Sequence, residues 1–76
     1  MVKYEKKAIE LAFKIVNKQG YVNSLDLYRL CKKKIGYPPS NPGISLFNDI
    51  LHSDNFKFKD FDIRLRMPNF ERNDHV

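Results

Sequence analysis

The stretch FKFKDFDIRLRM, residues 56–67, limits the possible folds more than any other part of the chain. Its apolar residues fall at 56 and 58, then at 61, 63, 65 and 67, with charge in nearly every gap. Alternation with a period of two sorts side chains onto the two faces of an extended strand. The parity changes across Lys59-Asp60, which predicts a two-residue turn with Phe58 and Phe61 paired across it on one face. Neither turn residue is glycine, so a longer loop is the alternative. Pro68 is expected to end the second strand. Residues 68–76, with NFERNDHV showing no periodicity, are expected to form a mobile tail.

Upstream the periodicity is helical. In YEKKAIELAFKIVNKQ, residues 4–19, Ile9, Ala12, Phe13 and Val16 follow the i, i+3, i+4, i+7 spacing, and Ala8, Leu11 and Ile15 widen that stripe. Gly20 supplies the stop, because it takes positive φ readily. Tyr21-Val22 has room for only a scrap of strand. Asn23 is the expected N-cap of a second helix over 24–34, with Asp26 facing the free amides of its first turn. Leu27, Leu30 and Cys31 point inward, and Lys32, Lys33 and Lys34 close the helix at the negative end of its dipole. IGYPPSNPG is a bend, and Asn41 before Pro42 caps a third helix over 42–52. Ile44, Phe47 and Leu51 form its buried stripe, Leu46 and Ile50 flank it, and Ser45, Asn48, Asp49 and His52 stay more exposed. The predicted core holds Ile9, Phe13, Val16, Leu27, Leu30, Phe47, Ile50, Leu51 and Ile63.

At 76 residues the chain makes one domain, here residues 1–67, with a small core. Bulky aromatics are needed to fill it, so Phe13, Phe47, Phe56 and Phe58 are assigned inside. Tyr4, Tyr21, Tyr28 and Tyr37 are placed at its edge, with base stacking as the alternative wherever a ring is exposed. Phe61 falls near the hairpin tip. The single cysteine, Cys31, has no partner for an internal bridge, and Cys31, His52 and His75 lack metal-ligand spacing, so no metal or other cofactor is expected. One free thiol, no signal peptide and no apolar run of membrane-spanning length suggest a cytoplasmic protein, nucleoid-associated or nuclear according to its host. No Gly-rich phosphate loop, GxSxG or HExxH is present, and no carboxylate pair sits in an apolar setting, so an enzyme is not expected.

Fourteen basic residues against nine acidic give a net charge of +5. The charge is uneven: residues 1–39 carry +6 and residues 40–76 carry −1. Such a balance suits a polyanionic partner, although a mild excess of Lys and Arg also serves solubility alone.

Taken in order, AIELAFKIVNKQGYV, NSLDLYRLC, NPGISLFNDILH and FKFKDFDIRLRM spell helix and short strand, helix, helix, and charged ribbon. The order resembles the winged-helix branch of the helix-turn-helix superfamily over residues 5–67. The resemblance implies an α+β fold, a small three-helix core with a C-terminal β-hairpin as the wing, and a DNA-binding protein in transcription regulation. In that family the third helix enters the major groove and the wing reaches the backbone or the minor groove. Lys57, Lys59, Arg64 and Arg66 would then contact phosphates, giving affinity that is insensitive to sequence and falls with salt. Arg29 and Lys32 to Lys34 would add to them. Asn41, Ser45, Asn48 and His52 would serve the third helix, with Asn48 able to read adenine. That helix carries no Lys or Arg, and Asp49 would repel phosphate, so specificity is expected to be low to moderate. The alternative class is a protein-docking module on a larger transcription or replication machine. GYV before a helix and a charged hairpin is also similar to the RNA-binding La motif, whose long aromatic-bearing N-terminal helices have no counterpart here. The chain would act as a monomer or a homodimer.

Overall fold

A computed structural model describes residues 2–36 and 44–73. The fold is mixed α+β, with three helices against a three-stranded antiparallel sheet among the described residues.

Helix α1 spans Val2–Gln19. It starts two residues earlier than the periodicity suggested, taking in Val2 and Lys3. Its deepest row is Tyr4, Ala8, Ala12 and Val16, with Ile9, Leu11, Phe13 and Ile15 packed beside it half-buried. Two alanines with no exposed surface let neighbouring elements come close to the helix backbone. Gly20 ends the helix at φ 91°, donating its N–H to the Val16 carbonyl at 2.7 Å.

Strand β1 is only Val22–Asn23, and α2, Ser24–Lys34, begins at once. Asn23 serves both elements: it pairs in the sheet, and its Oδ1 accepts the Leu25 N–H at 2.9 Å as the N-cap. Leu27 and Cys31 are buried, while Leu30 is half-buried rather than part of the core. The helix closes with Ile35 and Gly36 both donating to the Cys31 carbonyl. Tyr4 then donates its hydroxyl to the Gly36 carbonyl at 2.8 Å, tying the far end of α2 to the start of α1. Helix α3 spans Ile44–Leu51, with Leu46, Phe47, Ile50 and Leu51 buried and Phe47 tilted against Tyr28. The expected start at Asn41 and Pro42 lies outside the described residues, as does Tyr37.

The hairpin differs from expectation. Strand β2 is Phe56–Asp62 and β3 is Met67–Arg72, so the turn occupies residues 63–66 rather than Lys59-Asp60. The change of parity is a β-bulge: Phe58 pairs with Phe70 and Asp60 with Asn69, which leaves Lys59 as the extra residue. Phe58 and Phe61 do share a face, but on one strand. In the turn, the Asp62 carboxylate accepts the Leu65 N–H at 3.0 Å, and Arg66 takes the left-handed conformation at φ 55° before β3 begins.

Pro68 sits inside β3 and does not end it, which corrects the expected tail: residues 68–72 are strand. The strand order is β1-β3-β2, and β1 reaches only as far as Asn69. Pro68 therefore lies beyond the three-stranded part, where a missing N–H is tolerated. Phe70, pinned between Val22 and Phe58 in the register, is a core residue at 1% exposure. Ile63, predicted to be core, is instead 83% exposed in the turn, and Phe58, also assigned inside, is 58% exposed. From Phe58 onward the ribbon outruns the helices, and β2 packs chiefly against β3. Phe56 is the residue of β2 that closes the core, its ring centre 4.8 Å from that of Phe13.

Candidate nucleic-acid interface

The predicted cations fall into two regions. Arg29, Lys32, Lys33 and Lys34 are exposed on α2, whose N-terminus is held in the sheet through Asn23. Ten residues of helix at 1.5 Å each put Lys33 about 15 Å from that anchor. Lys57, Lys59, Arg64 and Arg66 are exposed on the hairpin. Lys57 and Lys59 lie on the sheet face opposite Phe58 and Phe61, while Arg64 and Arg66 sit in the turn. Carboxylates dilute the first pair. Lys57 stands across from Glu71 in the register, and Lys59 forms an ion pair with Asp60 at 3.2 Å.

That polar face is organised by a hydrogen-bonded row across all three strands. Asn23 donates through Nδ2 to Asn69 Oδ1 at 2.9 Å, and Asn69 donates through its own Nδ2 to Asp60 Oδ1 at 2.8 Å. Lys59 completes the row, donating to Asp60 while its ammonium lies 5.7 Å from the centre of the Tyr21 ring. The bond from Asn69, then that from Lys59, holds the Asp60 carboxyl below the usual aspartate range. The bulge thus places Lys59 and Asp60 together on one face and fixes both.

On α3 the predicted set divides. Ser45, Asp49 and His52 are exposed along one face. Asn48 is half-buried, and its Oδ1 is buried without a hydrogen-bond partner. An adenine edge takes both Oδ1 and Nδ2, so Asn48 has to rotate outward to read it. Asn41 lies outside the described residues. Within the helix itself, Ile44–Leu51, no Lys or Arg accompanies Asp49.

Sequence reasoning missed the aromatic side of the hairpin. Phe70 lies under the exposed His52 ring, edge to face at 5.0 Å, and makes a second edge contact with Phe58 at 6.4 Å. Phe61, 55% exposed, follows on the same face opposite Pro68. The parity break was the available signal, since a bulge preserves one face across an odd spacing, but it reads equally well as a turn.

Surface clefts lie elsewhere, among them two that none of the predicted site residues lines. One of about 210 Å³ is bounded by Phe13, Asn55, Arg72 and Asn73, and one of about 440 Å³ runs along α1 past Glu5, Ile9 and Phe13. Among the described residues no three of His, Cys, Asp and Glu are grouped to hold a metal ion, and no helix is long and apolar enough to cross a membrane. Compared with protein-family models, curated proteins and solved structures, the chain matches none.

Proposed function

We propose that the chain is a small winged-helix protein that binds nucleic acid, duplex DNA in the first place, with low to moderate sequence specificity and a role in transcription regulation. The observation that carries this reading is the charged hairpin, whose outer part runs past the helical core. Lys57, Lys59, Arg64 and Arg66 are all exposed on it, and the element order and the β1-β3-β2 sheet suit a wing. Phosphate contacts from such a wing position a protein on its target without reading bases. The acidic α3, which carries no Lys or Arg, supports low specificity. A second reading, docking on a protein partner, is favoured by the exposed Phe58, Phe61 and Ile63, since apolar surface of this kind commonly marks an interface.

The test is a salt-dependent binding titration of the whole chain against duplex DNA, single-stranded DNA and structured RNA. Binding to the duplex that weakens log-linearly with salt supports the reading. No binding to any of the three at about 50 mM salt, together with specific capture of a host protein, replaces it with the docking reading.

A further inference from the structure

We infer that the aromatic face of the hairpin, formed by Phe58, Phe61 and His52 over Phe70, is a stacking platform for unpaired bases. This rests on the nucleic-acid reading above and names a ligand class for a surface which that reading leaves unused.

Three exposed rings converge on this face. His52 and Phe58 each make a T-shaped contact with the buried Phe70, at 5.0 and 6.4 Å between ring centres, so the core helps to position both. Phe61 is brought to the same face by the bulge. The β3 partners of Phe58 and Phe61, Phe70 and Pro68, are two residues apart, which puts the two phenylalanines about 6.5–7 Å apart along the strand. A stacked nucleic-acid strand rises about 3.4 Å per nucleotide, so the two rings suit alternate bases, or neighbours in a stretched strand. Every base has a π-face, and aromatic platforms of this kind bind single strands with little sequence preference.

Charge complementarity selects this occupant. β2 is an outer strand of the sheet, with aromatics on one face and Lys57 and Lys59 on the other. A single strand laid along that edge sets its bases on Phe58 and Phe61 while its phosphates reach Arg64 and Arg66, exposed at the turn. The same edge is poorly suited to a peptide strand added by backbone pairing. The bulge breaks its hydrogen-bonding row, and its lysines oppose edge-to-edge contact.

The experiment uses the whole chain and two probes, a 12-nucleotide oligo-dT and a blunt 12-base-pair duplex, each titrated by fluorescence anisotropy at several salt concentrations. The double variant Phe58→Leu/Phe61→Leu keeps apolar bulk and removes both rings. It is expected to weaken oligo-dT binding about ten-fold for each ring while leaving duplex affinity and its salt slope unchanged. The sequence contains no Trp, so Phe61→Trp places a single indole on the platform, and its emission is expected to fall when oligo-dT binds. This second readout decides the matter if the double variant does not fold. Unchanged oligo-dT affinity in the double variant, equal losses for both probes, or an indole blind to oligo-dT overturns the platform and leaves duplex binding standing. Failure of the unmodified chain to bind either probe at about 50 mM salt overturns the nucleic-acid reading itself. In that case, capture of a host protein that depends on Phe58 and Phe61 assigns the face to a protein partner.

Discussion

Asn69 lies at the centre of the polar row, accepting from Asn23 and donating to Asp60, with little of its surface exposed. Replacing it with alanine removes the bond that does most to lower the Asp60 pKa, and leaves one of the donor bonds of Asn23 unmade. Asn69→Ala is expected to cost about 1–2 kcal/mol in chemical denaturation. It should also return the Asp60 carboxyl toward the ordinary aspartate value, which an NMR titration reads directly. A carboxylate whose folded pKa is depressed contributes stability above its unfolded pKa, and that contribution is lost as pH falls through the folded value. Acid unfolding of the native protein should therefore include an Asp60 component that is smaller in the Asn69→Ala variant, where only Lys59 still favours the carboxylate. Cys31 is a different case. It has no exposed surface, and burial pushes its thiol up to about 11. Labelling by a thiol reagent at neutral pH is expected to proceed at the rate of global opening, and fast labelling of the native chain would show that α2 is rotated otherwise.

At the scale of elements, β3 is the centre of the sheet and the main departure from the pattern. It pairs with both other strands, and Phe70 fills the core between Val22, Phe58 and His52. Removing one buried phenylalanine side chain costs about 3–5 kcal/mol, against a total stability of about 5–15 kcal/mol for a small domain. A chain ending at Met67 loses this ring along with Asn69 and the pairing of β1. It is expected to show no cooperative thermal transition by circular dichroism, whereas a chain ending at Asn73 keeps one. A normal melt from the shorter chain would mean that β3 contributes nothing to the fold. Helix α2 behaves as its local sequence suggests. α2 runs over the expected residues because its N-cap, first-turn acid and terminal lysines all act within the helix itself.

For the whole molecule, the question is how charge and apolar surface are shared between faces. The longest dimension, 29 Å, matches about eight base pairs at roughly 3.4 Å each, so a short duplex suffices as a probe. Arg64 and Arg66 are exposed in the turn, away from the core. Replacing both with alanine is expected to leave the melting temperature unchanged. Duplex affinity should fall about equally for all sequences, and the salt slope should shrink by about 0.9 for each phosphate that is no longer neutralised. Asn48→Ala should differ, weakening only a preferred site and by about 1–3 kcal/mol, since base contacts alone discriminate sequence. A double arginine variant with an unaltered salt slope would remove the turn from the interface.

What the residues alone determined is what depends on near neighbours in the chain. The stripe of α1, the stop at Gly20, the Asn23 cap and the apolar face of α3 arise from interactions within about four positions, so spacing reveals them. The extended character of residues 56–62 is equally local. The place where the ribbon turns is not. A bulge and a tight turn both shift alternation by one, and only the pairing of Asp60 with Asn69 tells them apart. Pro68 reads locally as a strand terminator, yet it is accommodated because β1 stops at Asn69. Phe58 and Ile63 have the alternation of core residues and are left exposed, because the helices cover only the first part of a seven-residue strand and Ile63 lies in the turn beyond it. Burial depends on what lies opposite, and what lies opposite is chosen by long-range pairing that no window of the sequence contains.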